Sequence, residues 1–151
     1  SADCGTILLE DPVTGAVGAC HAGWRGTALG IAEKTVTAMV NAYGCDPNNI
    51  RAALGPCISP CCFETDEDVP QAMITALGDE AMPAITTKGA KYHVDIKYLN
   101  RLFLQKAGVL PEHMDTSPLC TACDPDQFWS ARRHKDQRGS LGAIIVAGGN
   151  S

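Results

Sequence analysis

The chain has 151 residues, 45% of them hydrophobic and 19% charged, enough apolar material for one core and too much for a disordered chain. Twelve basic against 17 acidic residues leave a net charge of −5 and a pI near 5.2. This argues against a sequence-independent grip on nucleic acid, which needs cations to replace counterions, but leaves room for a local pocket that binds a small anion. No apolar run approaches the ~20 residues that span a bilayer, and Ser1-Ala2-Asp3-Cys4 lacks the basic and apolar regions of a signal peptide, so the reading is cytoplasmic.

Residues 6–10 (TILLE) and 16–21 (AVGACH) read as strands. They flank Asp11-Pro12-Val13-Thr14-Gly15, which is turn chemistry, so the two form a hairpin. Two glycines around Trp24 and Arg25 then mark a tight loop. Residues 28–43 read as the main helix. Leu29, Ala32, Val36, Met39, Val40 and Tyr43 recur on one face, Thr27 can cap its start, and Gly44 stands where a left-handed terminal residue belongs. Residues 50–54 are a short strand that runs into a loop with two prolines. A second helix covers about 66–77, with Val69, Met73, Ile74 and Leu77 inward and Pro70 in the first turn. Residues 91–95 form a strand. Asp95 then caps a third helix over 96–107, with Leu99, Leu102 and Phe103 inward and Gly108 at its end. Residues 114–119 and 142–146 are the remaining strands, and the apolar stretch 142–149 reads as buried. Strands interleaved with three main helices imply an α+β domain of mixed α/β layers, and no linker divides residues 1–151.

Eight cysteines without an export signal read as buried thiols and a few metal ligands rather than a disulfide framework. A hairpin that turns near residues 12–14 sets Cys4 opposite His21, with Cβ atoms ~5 Å apart. At that separation both can bind one metal ion, since zinc takes cysteine sulfur at ~2.3 Å and histidine nitrogen at ~2.0–2.1 Å. The competing reading is a buried cysteine beside a core histidine.

The strings Ala2-Asp3-Cys4, His21-Ala22-Gly23-Trp24-Arg25-Gly26, Gly55-Pro56-Cys57-Ile58, Cys120-Thr121 and Phe128-Trp129-Ser130-Ala131-Arg132-Arg133 occur in that order. Together they resemble the laccase-domain, YfiH-like family of purine nucleoside phosphorylases, also called polyphenol oxidases or peptidoglycan editing factors. The resemblance covers residues 2–147. It implies a YfiH-like fold and a zinc ion bound by Cys4 and His21, which are then the catalytic centre. It also implies a further histidine and an arginine from a segment upstream of the Ala-Asp-Cys motif. That segment is expected to lie outside residues 1–151, which would be the C-terminal part of the family's unit. Nothing in the spacing of His93, His113 or His134 recommends any of them as the missing ligand. The closing motif departs from the family at His134, which stands where an acid is usual. The family pattern accounts for Cys120 without a second metal. Cys57, Cys61, Cys62 and the Cys120-Thr121-Ala122-Cys123 pair are therefore read as structural thiols, although C-x-x-C is also a zinc or redox spacing.

The resemblance further implies phosphorolysis of adenosine and other purine nucleosides, methylthioadenosine included, and deamination of adenosine. One metal site can serve both the transferase and the hydrolase reaction. Zinc lowers the pKa of bound water toward ~7, which suits attack at C6 of adenine. Phosphorolysis needs phosphate held against the anomeric carbon while positive charge grows on the ribose. Arg25, Arg132 and Arg133 are the candidate phosphate ligands, because a guanidinium offers a planar fork to an anion. Arg25 ranks first since its loop begins at a candidate metal ligand. The alternative for each is a salt-bridged or solvated side chain. Asp3 is read as structural, pointing to the opposite strand face from Cys4. The expected partners are a purine nucleoside and phosphate, with no nucleic acid and no membrane. The alternatives are a copper-dependent polyphenol oxidase, which four histidines support poorly, a muropeptide-editing hydrolase, and a non-enzymatic interaction domain.

Overall fold

The computed structural model describes residues 1–148. In chain order the elements are β1 (Gly5–Glu10), β2 (Val17–Ala22), α1 (Trp24–Ala28), α2 (Ile31–Tyr43), β3 (Arg51–Leu54), β4 (Glu64–Thr65) and α3 (Asp68–Leu77). There follow β5 (Ile85–Lys88), β6 (Lys91–Val94), α4 (Ile96–Lys106), β7 (Met114–Thr116) and α5 (Ala131–His134). The mixed α+β class is the one read from the sequence.

Four strands make the main sheet in the order β2-β1-β3-β7, with β1 antiparallel to both neighbours and β3 parallel to β7. Burial alternates with a period of two along β1 and β3, as a half-buried sheet requires. Ile7, Leu9, Ala52 and Leu54 face the core. Thr6, Leu8, Glu10, Arg51 and Ala53 share the other face. Helices α2 and α4 supply Ala32, Val36, Met39, Leu99, Phe103 and Leu104 to the same core. A second, antiparallel sheet, β4-β6-β5, packs beside α3. Asp95 caps α4 as expected, accepting the Tyr98 N–H at 3.0 Å.

Four expectations need correction. The main helix is not continuous from residue 28. Gly30 sits at φ 69°, a left-handed conformation that separates α1 from α2. Leu29 terminates α1 instead of sharing the phase of α2, and is 68% exposed; Tyr43, in the last turn of α2, is 64% exposed. Thr27 does not cap α2. It is buried inside α1, and its hydroxyl accepts Asn100 Nδ2 at 2.9 Å, which ties α1 to α4. Strand β7 ends at Thr116, since Pro118 has no N–H to continue a ladder.

The fourth correction concerns residues 142–146, which form no strand: Ile144 and Val146 are 86% and 80% exposed. Apolar content made that stretch look like a buried strand, but it finds no ladder partner among the described residues. Gly149, the end of the apolar stretch, lies outside them. No helix among the described residues is long and apolar enough to cross a membrane.

Candidate active site

The turn between β1 and β2 decides where Cys4 can sit. The Asp11 carboxylate accepts the N–H groups of Val13 and Thr14, and the Asp11 N–H reaches the Ala16 carbonyl. The resulting loop shifts the hairpin register by two residues from the expected one. Thr6, not Cys4, faces His21, and Gly5 faces Ala22. Cys4 therefore lies just before β1. The two side chains nevertheless converge. A Cβ on Gly23 would lie 3.0 Å from Cys4 Sγ and 3.5 Å from His21 Nε2. Glycine is the one residue that leaves this gap between thiol and imidazole open. A thiolate and an imidazole are donors that suit zinc or copper, so the pair fits the metal the sequence implies.

Asp3 is not on a strand. It has φ 77°, rare for a residue with a side chain, and its carboxylate is buried. One oxygen accepts the Thr121 hydroxyl at 2.7 Å and the other the Arg132 N–H at 2.8 Å. Its carbonyl accepts the Ile58 N–H at 2.9 Å. Three distant segments thus fix the residue that precedes Cys4. Burial pushes the Cys4 thiol above its ordinary range and the Asp3 charge adds to this, while Arg138 acts in the opposite direction.

The three arginines are placed differently. Arg25 is exposed on α1, its guanidinium 4.2 Å over the Trp24 ring. Arg132 and Arg133 are both on α5 and donate to backbone carbonyls, Arg132 Nη2 to Glu64 and Arg133 Nε to Ala122. Arg132 and Cys4 line one cleft of about 420 Å3 with Ala2, Ile58, Phe63 and Lys135. His21 lines a neighbouring hollow of about 250 Å3 with Thr6, Cys20 and Leu141. Lys135 and Arg138 are cations that sequence reasoning gave no role. The basic run after the Phe-Trp-Ser-Ala-Arg-Arg string was the available signal. A larger cavity, about 680 Å3, lies along the open sheet face between Leu8, Arg51 and His113 and holds neither Cys4 nor His21.

The other histidines have their own settings. The His93 ring meets the Pro60 carbonyl, and His134 packs edge-on to Trp129 at 5.1 Å. All eight thiols are free. Cys61, Cys62, Cys120 and Cys123 gather with their sulfurs within 4.8 Å of one another, close enough to hold a metal ion. Burial raises the Cys120 pKa, but the N–H donors of Ser59, Ala122 and Cys123 outweigh it and bring the thiol down to about 7.

The domain is α+β and layered, and at the mouth of its first hairpin Gly23 has Cys4 Sγ and His21 Nε2 as neighbours, with Arg132 and Lys135 lining the cleft that holds Cys4. The sequence model of the multi-copper polyphenol oxidoreductase laccase family matches residues 1–148, and the chain belongs to that family. It is 39% identical over 145 residues to the purine nucleoside phosphorylase YlmD of Geobacillus stearothermophilus, covering 95% of this chain and 53% of that protein. It is 38% identical over 136 residues to the adenosine deaminase RL5 from an unknown prokaryotic organism, covering 88% and 51%. The crystal structure of YlmD from Geobacillus stearothermophilus superposes with a TM-score of 0.87 at 38% identity, over 92% of this chain and 52% of that one. The chain thus spans about half the length of these relatives. Relatives with such names make this a family of enzymes, and the YfiH-like fold is the one the motifs implied.

Proposed function

We propose that this chain is the C-terminal part of a purine nucleoside phosphorylase, with Cys4 and His21 as two ligands of a catalytic zinc ion. The observation that carries this reading is the convergence of Cys4 Sγ and His21 Nε2 on the space beside Gly23. A bound zinc ion would supply Lewis acidity and a more acidic bound water. The relatives named purine nucleoside phosphorylase supply the reaction, and phosphate is then the second substrate. In that reaction a phosphate oxygen bonds to the anomeric carbon, the bond to the base breaks, and the base leaves with a proton. The chain's own part is to hold the anion and orient it. Arg25, exposed and stacked on Trp24, is free to form a fork around phosphate, and Lys135 and Arg132 present charge at the Cys4 cleft. Arg133, which does not line that cleft, is the weaker candidate. Deamination of adenosine at the same site is the second reading, and the named deaminase relative favours it. Copper is the alternative metal, which the family's description favours.

Product analysis separates these readings. Adenosine is incubated with the chain, and with a version that carries the family's upstream segment, with and without phosphate. Adenine that forms only with phosphate supports the phosphorylase. Inosine that forms regardless of phosphate supports the deaminase alone, and neither product contradicts both. In the active form, Arg25→Ala is expected to raise the apparent KM for phosphate about tenfold or more, the loss of one charge-assisted contact. An unchanged phosphate dependence removes Arg25 from the site.

A further inference from the structure

The loop after β3 contributes Cys61 and Cys62, the segment after β7 contributes Cys120 and Cys123, and the fold joins the two pairs. Cys61 and Cys62 sulfurs each lie 3.5 Å from Cys123, and all four sulfurs, Cys120 included, fall within 4.8 Å of one another. A tetrahedral ion with Zn–S of ~2.3 Å sets its sulfurs about 3.8 Å apart. No two of the thiols are therefore more than about 1 Å further apart than such a site requires, and they are too close together to enclose a multi-iron cluster. The Ser59 N–H donates to Cys120 Sγ at 3.3 Å, a contact that steadies a metal-bound thiolate.

A second feature points the same way. Lys97 is 9% exposed and forms no ion pair among the described residues. Its ammonium donates to Ser59 Oγ, the Ser117 carbonyl and the Leu119 carbonyl, all next to the four thiols in sequence. A buried cation is costly without a compensating negative charge nearby. Four thiolates around one divalent ion would carry a net double negative charge, linked to Lys97 through Ser59, whose hydroxyl accepts from the ammonium and whose N–H donates to Cys120 Sγ.

We propose that Cys61, Cys62, Cys120 and Cys123 form a closed tetrathiolate site for one zinc ion, separate from Cys4 and His21. Binding displaces to solvent the protons that the thiols carry and involves no redox change. With four protein ligands no position is left for substrate, so the ion acts as a staple. It fastens the loop that supplies Ile58 to the segment that supplies Thr121, and these two residues hold the Asp3 carbonyl and carboxylate. The staple thereby fixes the shelf on which Cys4 stands. The proposal does not depend on nucleoside chemistry.

The test is metal analysis and cobalt substitution of protein purified under reducing conditions without chelator. Zinc is expected as the native metal. The cobalt form is expected to show the intense visible bands and sulfur-to-metal charge transfer of a tetrathiolate. That signature should persist in Cys4→Ala and His21→Ala and vanish in the Cys120→Ser/Cys123→Ser double variant, with the loss of one ion per chain. Absence of the signature in the reduced wild-type protein overturns the proposal whether or not the variants fold. So does its survival in the double variant, iron as the native metal, or a disulfide joining Cys123 to Cys61 or Cys62 in protein kept free of oxygen.

Discussion

At the scale of single residues, Gly23 matters most. A methyl group there would meet Cys4 Sγ at 3.0 Å, closer than ordinary packing allows, and stand 3.5 Å from His21 Nε2. Gly23→Ala should therefore weaken metal binding at the Cys4–His21 pair about 10- to 100-fold, the range seen when groups around ligands are disturbed. The far-ultraviolet circular dichroism should not change. Competition titration with a chromogenic chelator reads the effect, and unchanged affinity would mean the gap has no bearing on the metal. Asp3 makes a stability prediction. Its buried carboxylate holds the Thr121 hydroxyl and the Arg132 N–H, and a hydrogen bond to a charged group contributes about 1.5–3 kcal/mol. Asp3→Ala should cost about 3 kcal/mol or more in urea unfolding, and Asp3→Asn less, because an amide keeps one acceptor. A cost below about 1 kcal/mol would show the carboxylate to be dispensable.

Cys4 and His21 stand out in the sequence through the hairpin pattern and the motif strings, but the register that the hairpin suggests is not the one that forms. Strand pairing was expected to oppose them. The structure places them in adjacent segments and brings their tips together across Gly23. The four clustered thiols could not be paired from sequence, because 57 or more residues and a whole sheet lie between the two halves of the cluster. Asp3 was read as structural, and its hydrogen bonds agree. Its left-handed backbone carried no sequence signal, since aspartate is compatible with ordinary conformations too.

At the scale of elements, the β1–β2 turn sets the register and so the site. Asp11 is 1% exposed. Burial works to raise its pKa, but the Val13 and Thr14 N–H groups, with the Cys45 and Thr14 side chains, prevail and hold the carboxyl below its ordinary range. A carboxylate whose folded pKa is depressed contributes stability above its unfolded pKa of ~3.9, and that contribution fades as pH falls through the folded value. Wild-type protein should therefore exceed Asp11→Asn in urea midpoint at neutral pH, with the gap closing as the pH drops below ~4. A gap that stays constant through the acid range would show that the charge on Asp11 does not support the turn. Helix α4 was readable because cap, apolar face and terminal glycine agreed. The main helix divides because the left-handed backbone of Gly30 ends one helix and begins another, which the apolar periodicity of residues 28–43 does not register. The stretch 142–146 was misjudged because hydrophobicity does not reveal whether a strand has a neighbour to pair with.

At the scale of the whole molecule, the family and the α+β layers followed from the order of the motifs across the chain, and the superposition at a TM-score of 0.87 agrees. The layout gives the two halves of the account different supports. One face of the main sheet carries the core, and the open face carries His21 toward the hollow beside Cys4. Loops after β3 and β7 then fix Asp3 beneath the thiol. The most direct test of the central claim measures bound metal and phosphate-dependent adenine release together, in the active form of the protein and its Cys4→Ala and His21→Ala variants. Both variants are expected to lose the catalytic metal and the turnover together, with the fold retained. Full phosphorolysis by either variant in the absence of that metal would contradict the claim.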